Sequence, residues 1–230
     1  MKKLVGVFVA MFGMSLAAHA ADDVHQLDAR LSAARATIDE IMSVPDKAVP
    51  EDIARKAVCV GVVPGMVKGA FIFGAEYGQG VVTCRTGAGW SAPVFIRMAG
   101  GSFGFQAGGQ GTDLILVAVN QKGFQDLLHD KFKIGGDASA AAGPVGRDAQ
   151  ASTDLSMKAE LLTWSRSRGV FAGVDLNGIS VSQNKEDTDE IYGGTHPFNQ
   201  ILHGAVAPPE VAEPFLHAVS RYFGSAQASR

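Results

Sequence analysis

Glycine spacing is the strongest constraint on what this chain of 230 residues can become. Between Val58 and about Asn120, β-branched and aromatic residues come in short clusters separated by glycines, often in pairs. Clusters of that length, punctuated where a chain can turn, predict short strands joined by tight turns. Ala70 to Glu76, Val81 to Arg85 and Val94 to Met98 are expected strands, with Gly78-Gln79-Gly80 as the hairpin turn between the first two. Leu114 to Val119 is continuously apolar and suits a buried strand.

The flanking segments have a different period. Val24, Leu27, Leu31, Ala34, Ile38 and Ile41 recur at the spacing of one helix face, which predicts an amphipathic helix from Val24 to Met42. Pro45 and Pro50 break it, and Glu51 to Ala57 is a short second helix with Pro50 at or near its first position. Gln121 to Lys131 is an expected helix capped by Asn120, Gly135 to Thr153 a loop, and Leu161 to Arg168 a strand. Asn177-Gly178, between Val170 to Leu176 and Ile179 to Ser182, is the dipeptide that favours a type I′ hairpin turn. Val211 to Phe223 is a terminal helix after the Pro208-Pro209 breaker. The expected fold is α+β: a glycine-rich, mainly antiparallel sheet, strongly curved or closed as a barrel, with helices at both ends.

At the N-terminus, Lys2 and Lys3 precede the uncharged apolar run Leu4 to Ala18, and Ala18-His19-Ala20 offers small residues for cleavage. Residues 1–20 therefore read as a secretory signal, leaving a single domain over 21–230 that is exported to the periplasm or beyond. The apolar run is shorter than the ~20 residues of a membrane-spanning helix. No cysteine precedes Cys59, so the cleavage region has no thiol for a lipid anchor. Removal of the signal takes two lysines and no acid, moving the formal net charge from −3 to −5. That balance argues against general nucleic-acid binding, which needs a basic footprint. An oxidising compartment favours a bond between the two cysteines, Cys59 and Cys84, over the alternative of two buried thiols.

Chemistry-bearing motifs are sparse. Gly100-Gly101-Ser102-Phe103-Gly104 matches the pattern of a serine-hydrolase elbow, but the elbow needs a helix after the serine, and Gly108, Gly109 and Gly111 follow instead. The glycine-rich stretches Gly100 to Gly111 and Gly135 to Gly146 lack the spacing or the Lys-Ser/Thr pair of a phosphate loop. His196 and His203 have neither HExxH pairing nor cysteine partners for zinc. Glu186, Asp187, Asp189 and Glu190 lack the glycine and terminal glutamate of a calcium loop and read as a solvated face. No catalytic residue, metal or cofactor is expected.

One ordered set of motifs is specific. It comprises Lys56-Ala57, Val63-Pro64-Gly65-Met66-Val67-Lys68-Gly69, Gly74-Ala75-Glu76-Tyr77-Gly78-Gln79-Gly80, Gly89-Trp90-Ser91-Ala92-Pro93, Gly104-Phe105-Gln106-Ala107-Gly108 and Asp113-Leu114. It continues with Gly143-Pro144-Val145-Gly146-Arg147, Ser167-Arg168-Gly169-Val170-Phe171-Ala172-Gly173 and Tyr192-Gly193. From about Pro50 to Gly193 the chain resembles a SYLF domain. The resemblance implies a lipid-binding module that recognises phosphoinositides in eukaryotic members and in some regulates actin. For an exported chain it implies peripheral binding to an anionic phospholipid surface, without catalysis. The usual N-terminal amphipathic basic segment is matched only in position, because Asp28, Asp39 and Glu40 share the polar face with Arg30 and Arg35. A net-negative domain needs a local basic patch, each Lys or Arg near such a surface contributing about 1 kcal/mol. Arg55, Lys56, Lys68 and Arg85 are the candidate lipid-binding residues, with Met66, Val67 and Phe71 as apolar neighbours. The alternative is an envelope module that binds a polypeptide, its partner unknown; a remoter one is a serine hydrolase using Ser102.

Overall fold

The computed structural model describes residues 24–70, 73–103, 110–145, 159–167, 170–172 and 176–224. The signal segment expected at 1–20 lies outside them. Helix α1 covers residues 24–42, and its stripe of Leu27, Leu31, Ala34, Ile38 and Ile41 is buried to 3 % exposure or less. A short α2, Glu51–Lys56, starts after Pro50, whose missing N–H costs nothing at a helix entrance. The sheet is then built from β1 (Cys59–Ala70), β2 (Phe73–Thr86), the short β3 (Gly89–Trp90), β4 (Val94–Phe103) and β5 (Gln110–Ala118). Helix α3, Gln121–Leu128, begins as expected, the Asn120 side chain accepting the Gly123 N–H at 2.9 Å. There follow β6 (Lys131–Lys133), β7 (Ala140–Ala142), β8 (Leu161–Ser167), β9 (Val170–Ala172) and β10 (Ser180–Gln183). Helices α4 (Lys185–Tyr192), α5 (Phe198–Leu202) and α6 (Glu213–Phe223) complete the chain.

The strands order as β6-β10-β4-β2-β1-β5-β8-β7, with β3 added on β2 and β9 on β8. Among the described residues these strands pair antiparallel except β7 with β8, and the sheet curls into a half-barrel flanked by helices from both termini. Alternation along the strands divides the core in two. Val60, Val62, Val81, Phe95, Ile115 and Val117 face α1, α2 and α6; Val63, Met66, Val82, Ile96, Met98 and Leu114 face α3 and α5. Cys59 and Cys84 sit opposite each other in β1 and β2 and are disulfide-bonded, pinning the hairpin at the end where α2 enters. Among the described residues no helix is long and apolar enough to cross a membrane.

Three sequence expectations give way. Gly78-Gln79-Gly80 is not a turn but the middle of β2, opposite Met98, Arg97 and Ile96; the expected strand Ala70 to Glu76 instead spans the junction between β1 and β2. The two glycines serve close packing: a Cβ on Gly78 would lie 2.7 Å from Val63 Cγ1, and one on Gly80 would lie 2.3 Å from the Val62 carbonyl oxygen. Asn177-Gly178 does turn, with Gly178 at φ +87° and Ile179 N–H donating to Leu176 O at 3.1 Å, but among the described residues the flanking strands do not pair with each other. β9 joins β8, while β10 lies between β4 and β6. The expected loop from Gly135 contains β7, and its residues 146–153 lie outside the described ones. The acidic run is α4, capped by Asn184 on the Asp187 N–H at 3.3 Å and stopped by Gly193 at φ +64°. Glu186 and Asp187 occupy its first turn, where the helix dipole favours carboxylates.

Candidate functional site

The motifs Val63 to Gly69 and Gly74 to Gly80 meet at an irregularity in β1. Register runs Val62↔Val81 and then Val67↔Tyr77 against β2, and Val63↔Leu114 and then Met66↔Thr112 against β5, so one extra residue is accommodated at Pro64-Gly65. Gly65 takes φ +56°, a conformation that favours glycine, and its N–H donates to Asp113 Oδ1 at 2.9 Å. Asp113 also accepts from Arg166 at 3.0 Å, and Arg166 pairs with Glu40 of α1. The extra residue reverses which alternate residues face the helices. Met66 is driven into the core at 2 % exposure, while Val67 emerges at 53 % beside its cross-strand neighbour Tyr77 at 48 %.

Val67 and Tyr77 lie on the same sheet face as Val81 and Phe95, beyond the edge of α1. That helix is clamped at the boundary. Arg30 pairs with Asp187 of α4, donates to Gln79 Oε1 at 2.9 Å, and stacks 5.4 Å from the centroid of the Phe95 ring. A hollow of about 320 Å³ runs between α1 and the bulge, lined by Arg30, Ala33, Pro64, Val67, Tyr77 and Gln79 among others. The face therefore presents an apolar pair beside a polar seam, with no nucleophile–base arrangement among the described residues. Ser102 falls inside β4, opposite Gly74, rather than on a strand-to-helix turn. Among the described residues no cluster of three or more His, Cys, Asp or Glu has the geometry to hold a metal ion.

The four candidate cations do not form one patch. Arg55 and Lys56 end α2, where Arg55 is paired with Glu51 at 3.0 Å and Asp52 at 2.5 Å, and Lys56 is exposed. Arg85 is close to them but turned inward, donating to Ala57 O at 3.0 Å and Phe223 O at 2.5 Å and lying 4.6 Å over Trp90. Burial lowers its pKa from the ordinary arginine value. It ties the ends of α2 and α6 to the sheet, a structural task that neither strand pattern nor motif order announces. Lys68 stands in β1 opposite Glu76 and Gln110, roughly 30 Å along the strand from Cys59 at about 3.3 Å per residue. Its side chain, and Phe71, lie outside the described residues. Tyr77 stands inside a motif that gives no sign of its exposure, which depends on the bulge.

The model of one family, Ysc84, described as Las17-binding protein actin regulator, matches residues 99–222. This chain belongs to the Ysc84/SYLF family. Among its relatives, LAS seventeen-binding protein 3 of Saccharomyces cerevisiae is 32 % identical over 185 residues, covering 77 % of this chain and 40 % of that protein. SH3 domain-containing YSC84-like protein 1 of Rattus norvegicus is 31 % identical over 180 residues, covering 77 % and 53 %. Its Xenopus laevis counterpart is 32 % identical over 181 residues, covering 77 % and 54 %. The chain thus spans about half, or less, of the curated Ysc84-type relatives it matches. The Ysc84 match extends past Tyr192-Gly193 into α6, so the terminal helix belongs to the family unit as well as the motif-bearing sheet.

Proposed function

We propose that this Ysc84/SYLF domain is an exported, non-catalytic module that binds anionic phospholipid peripherally. The observation that carries the reading is the directly paired, solvent-exposed Val67 and Tyr77 on a sheet face that α1 leaves open. Large apolar side chains held out together on an otherwise well-packed domain mark a surface made for contact. The Cys59–Cys84 bond supports the export half of the proposal, since such bonds persist in oxidising compartments. Export would also remove cytoplasmic actin from reach and leave envelope or host lipids as ligands.

Flotation of the domain lacking residues 1–20 with liposomes tests this, comparing neutral vesicles with vesicles carrying phosphatidylglycerol, phosphatidylserine or a phosphoinositide. Co-flotation that requires anionic lipid is expected, and the headgroup panel ranks the ligands. Equal behaviour on neutral and anionic vesicles would defeat the proposal. A polypeptide ligand is the second reading, favoured by the names of the yeast relatives, which describe binding to a protein. Under it, the same face would capture a partner from an envelope extract with no dependence on lipid.

A further inference from the structure

Following the exposed pair across the sheet leads to two lysines that no motif singled out. One row of register partners runs Lys133 (β6), Ser180 (β10), Ala99 (β4), Tyr77 (β2), Val67 (β1) and Gly111 (β5). The adjacent row on the same face runs Lys131, Ser182, Arg97 and Gln79. Phe132, Val181 and Met98, which alternate with these residues, are buried in the opposite core. That alternation is what places both rows on the face shared with Tyr77.

Charge along these rows is uneven. Arg97 is paired with Glu186 at 2.7 Å, and Arg30, at the margin, with Asp187, so these two arginines are compensated by two acids of α4. Lys131 and Lys133 are exposed and, among the described residues, have no ion-pair partner. The nearest acids in sequence are occupied otherwise: Asp130 pairs with Lys185 at 3.0 Å, and Asp137 Oδ2 accepts the backbone N–H of Lys133 at 2.8 Å. The face thus carries two exposed lysines without an ion-pair partner among the described residues, on a chain whose overall charge is negative.

We infer that these two rows are the membrane-contacting surface, with Tyr77 and Val67 entering the interfacial layer and Lys131 and Lys133 holding anionic headgroups at the sheet edge. This rests on the lipid-binding proposal and assigns it a site different from the α2 cations. Lys133 and Tyr77 are three strand steps apart, roughly 14 Å at about 4.8 Å per step. The intervening Ser180 and Ala99 are small, so apolar and cationic groups can meet one surface together. Small side chains between an aromatic and two lysines leave a shallow platform, suited to a broad negative surface.

The experiment is vesicle co-sedimentation of the domain lacking residues 1–20 on phosphatidylcholine with and without phosphatidylglycerol. Wild type is compared with Lys131→Ala/Lys133→Ala, Val67→Asp/Tyr77→Asp and Arg55→Ala/Lys56→Ala. Every replaced residue is exposed, and unchanged thermal melting confirms that each variant is folded. Loss of both edge lysines is expected to weaken partitioning onto anionic vesicles on the order of 30-fold, and Val67→Asp/Tyr77→Asp to abolish it, with Arg55→Ala/Lys56→Ala near wild type. A Tyr77→Trp variant should show emission quenched by brominated lipid beyond the wild-type level. Wild-type partitioning that survives in the face variants but falls in Arg55→Ala/Lys56→Ala would overturn the site and leave lipid binding standing. Failure of wild type on every vesicle would overturn both. A homodimer in solution that the Asp variants dissociate would assign the face to a second copy of the chain and overturn the inference.

Discussion

One face of the sheet behaves in two ways along its length. Nearer the disulfide, Val60, Val81, Phe95 and Val117 are sealed beneath α1, α2 and α6 and are all but inaccessible, Val119 beside them being 8 % exposed. Beyond α1, the same strands present Tyr77, Val67, Ala99 and Gly111 to solvent. Strand composition alone does not separate the halves, since valine and aromatic residues occur in both. The difference lies in whether a helix reaches them, and burial rather than side-chain chemistry decides which half supports the fold and which is left open to solvent.

The strongest way to break that comparison is a pair of truncations. Phe95→Ala, under Arg30 and α1, is expected to cost about 3–5 kcal/mol in urea denaturation, whereas Tyr77→Ala should stay within about 0.5 kcal/mol. Equal costs would mean that the outer half is packed too. Replacing both Cys59 and Cys84 by serine opens a loop of 25 residues. It should remove roughly 3.5 kcal/mol at most on the chain-entropy account, with amide exchange rising in β1 and β2 beside α2 more than near Tyr77. Gly80→Ala acts at the boundary. The new methyl group meets the Val62 backbone, so a loss of about 1–3 kcal/mol is expected, together with greater protease sensitivity around Pro64.

The smallest expected effect concerns the acid limb of stability at the covered end. Glu160 precedes β8 and meets Lys122 at 2.8 Å and the Ser139 hydroxyl and N–H. Burial by itself would raise its carboxyl pKa, but the hydrogen bonds from Lys122 and Ser139 outweigh burial and hold it at about 2 instead of 4.5. A carboxylate depressed on folding stabilises above its unfolded pKa, and that contribution is lost as pH falls from about 4.5 towards 2. Glu160→Gln should therefore flatten the melting-temperature profile over that window and leave vesicle binding at neutral pH unchanged. A profile identical to wild type would remove this tether from the account.

Much of the fold was legible because its signals are local. The α1 stripe, the Asn120 cap and the apolar run in β5 each depend on neighbours within a few residues, and each appears where the sequence placed it. Helix α4 carried equally local signals in Asn184 and Gly193, but its acidic composition masked them. Gly78-Gln79-Gly80 misled for another reason, and Asn177-Gly178, which does turn, joins strands that pair elsewhere. A glycine that permits a turn and one that admits a neighbouring strand look the same in one dimension. What distinguishes them is Val63 and Met66 on β1, or Ile134 holding the Gly178 N–H at 2.8 Å. Arg85 is similar: its charge was visible, but the carbonyls of Ala57 and Phe223 that occupy it lie 28 and 138 residues away along the chain.

By itself the sequence determined the α+β class, the family, the helix at each end and the pairing choice of its two cysteines, because periodicity, motif order and a two-cysteine inventory are properties of a line. Tertiary structure decided the rest: that one extra residue at Pro64-Gly65 turns Val67 outward and Met66 inward, and that α1 passes beside Tyr77 without covering it. Exposure is a relation between segments distant in sequence. A strand residue becomes core or surface only when the helix that would cover it has found, or missed, its place.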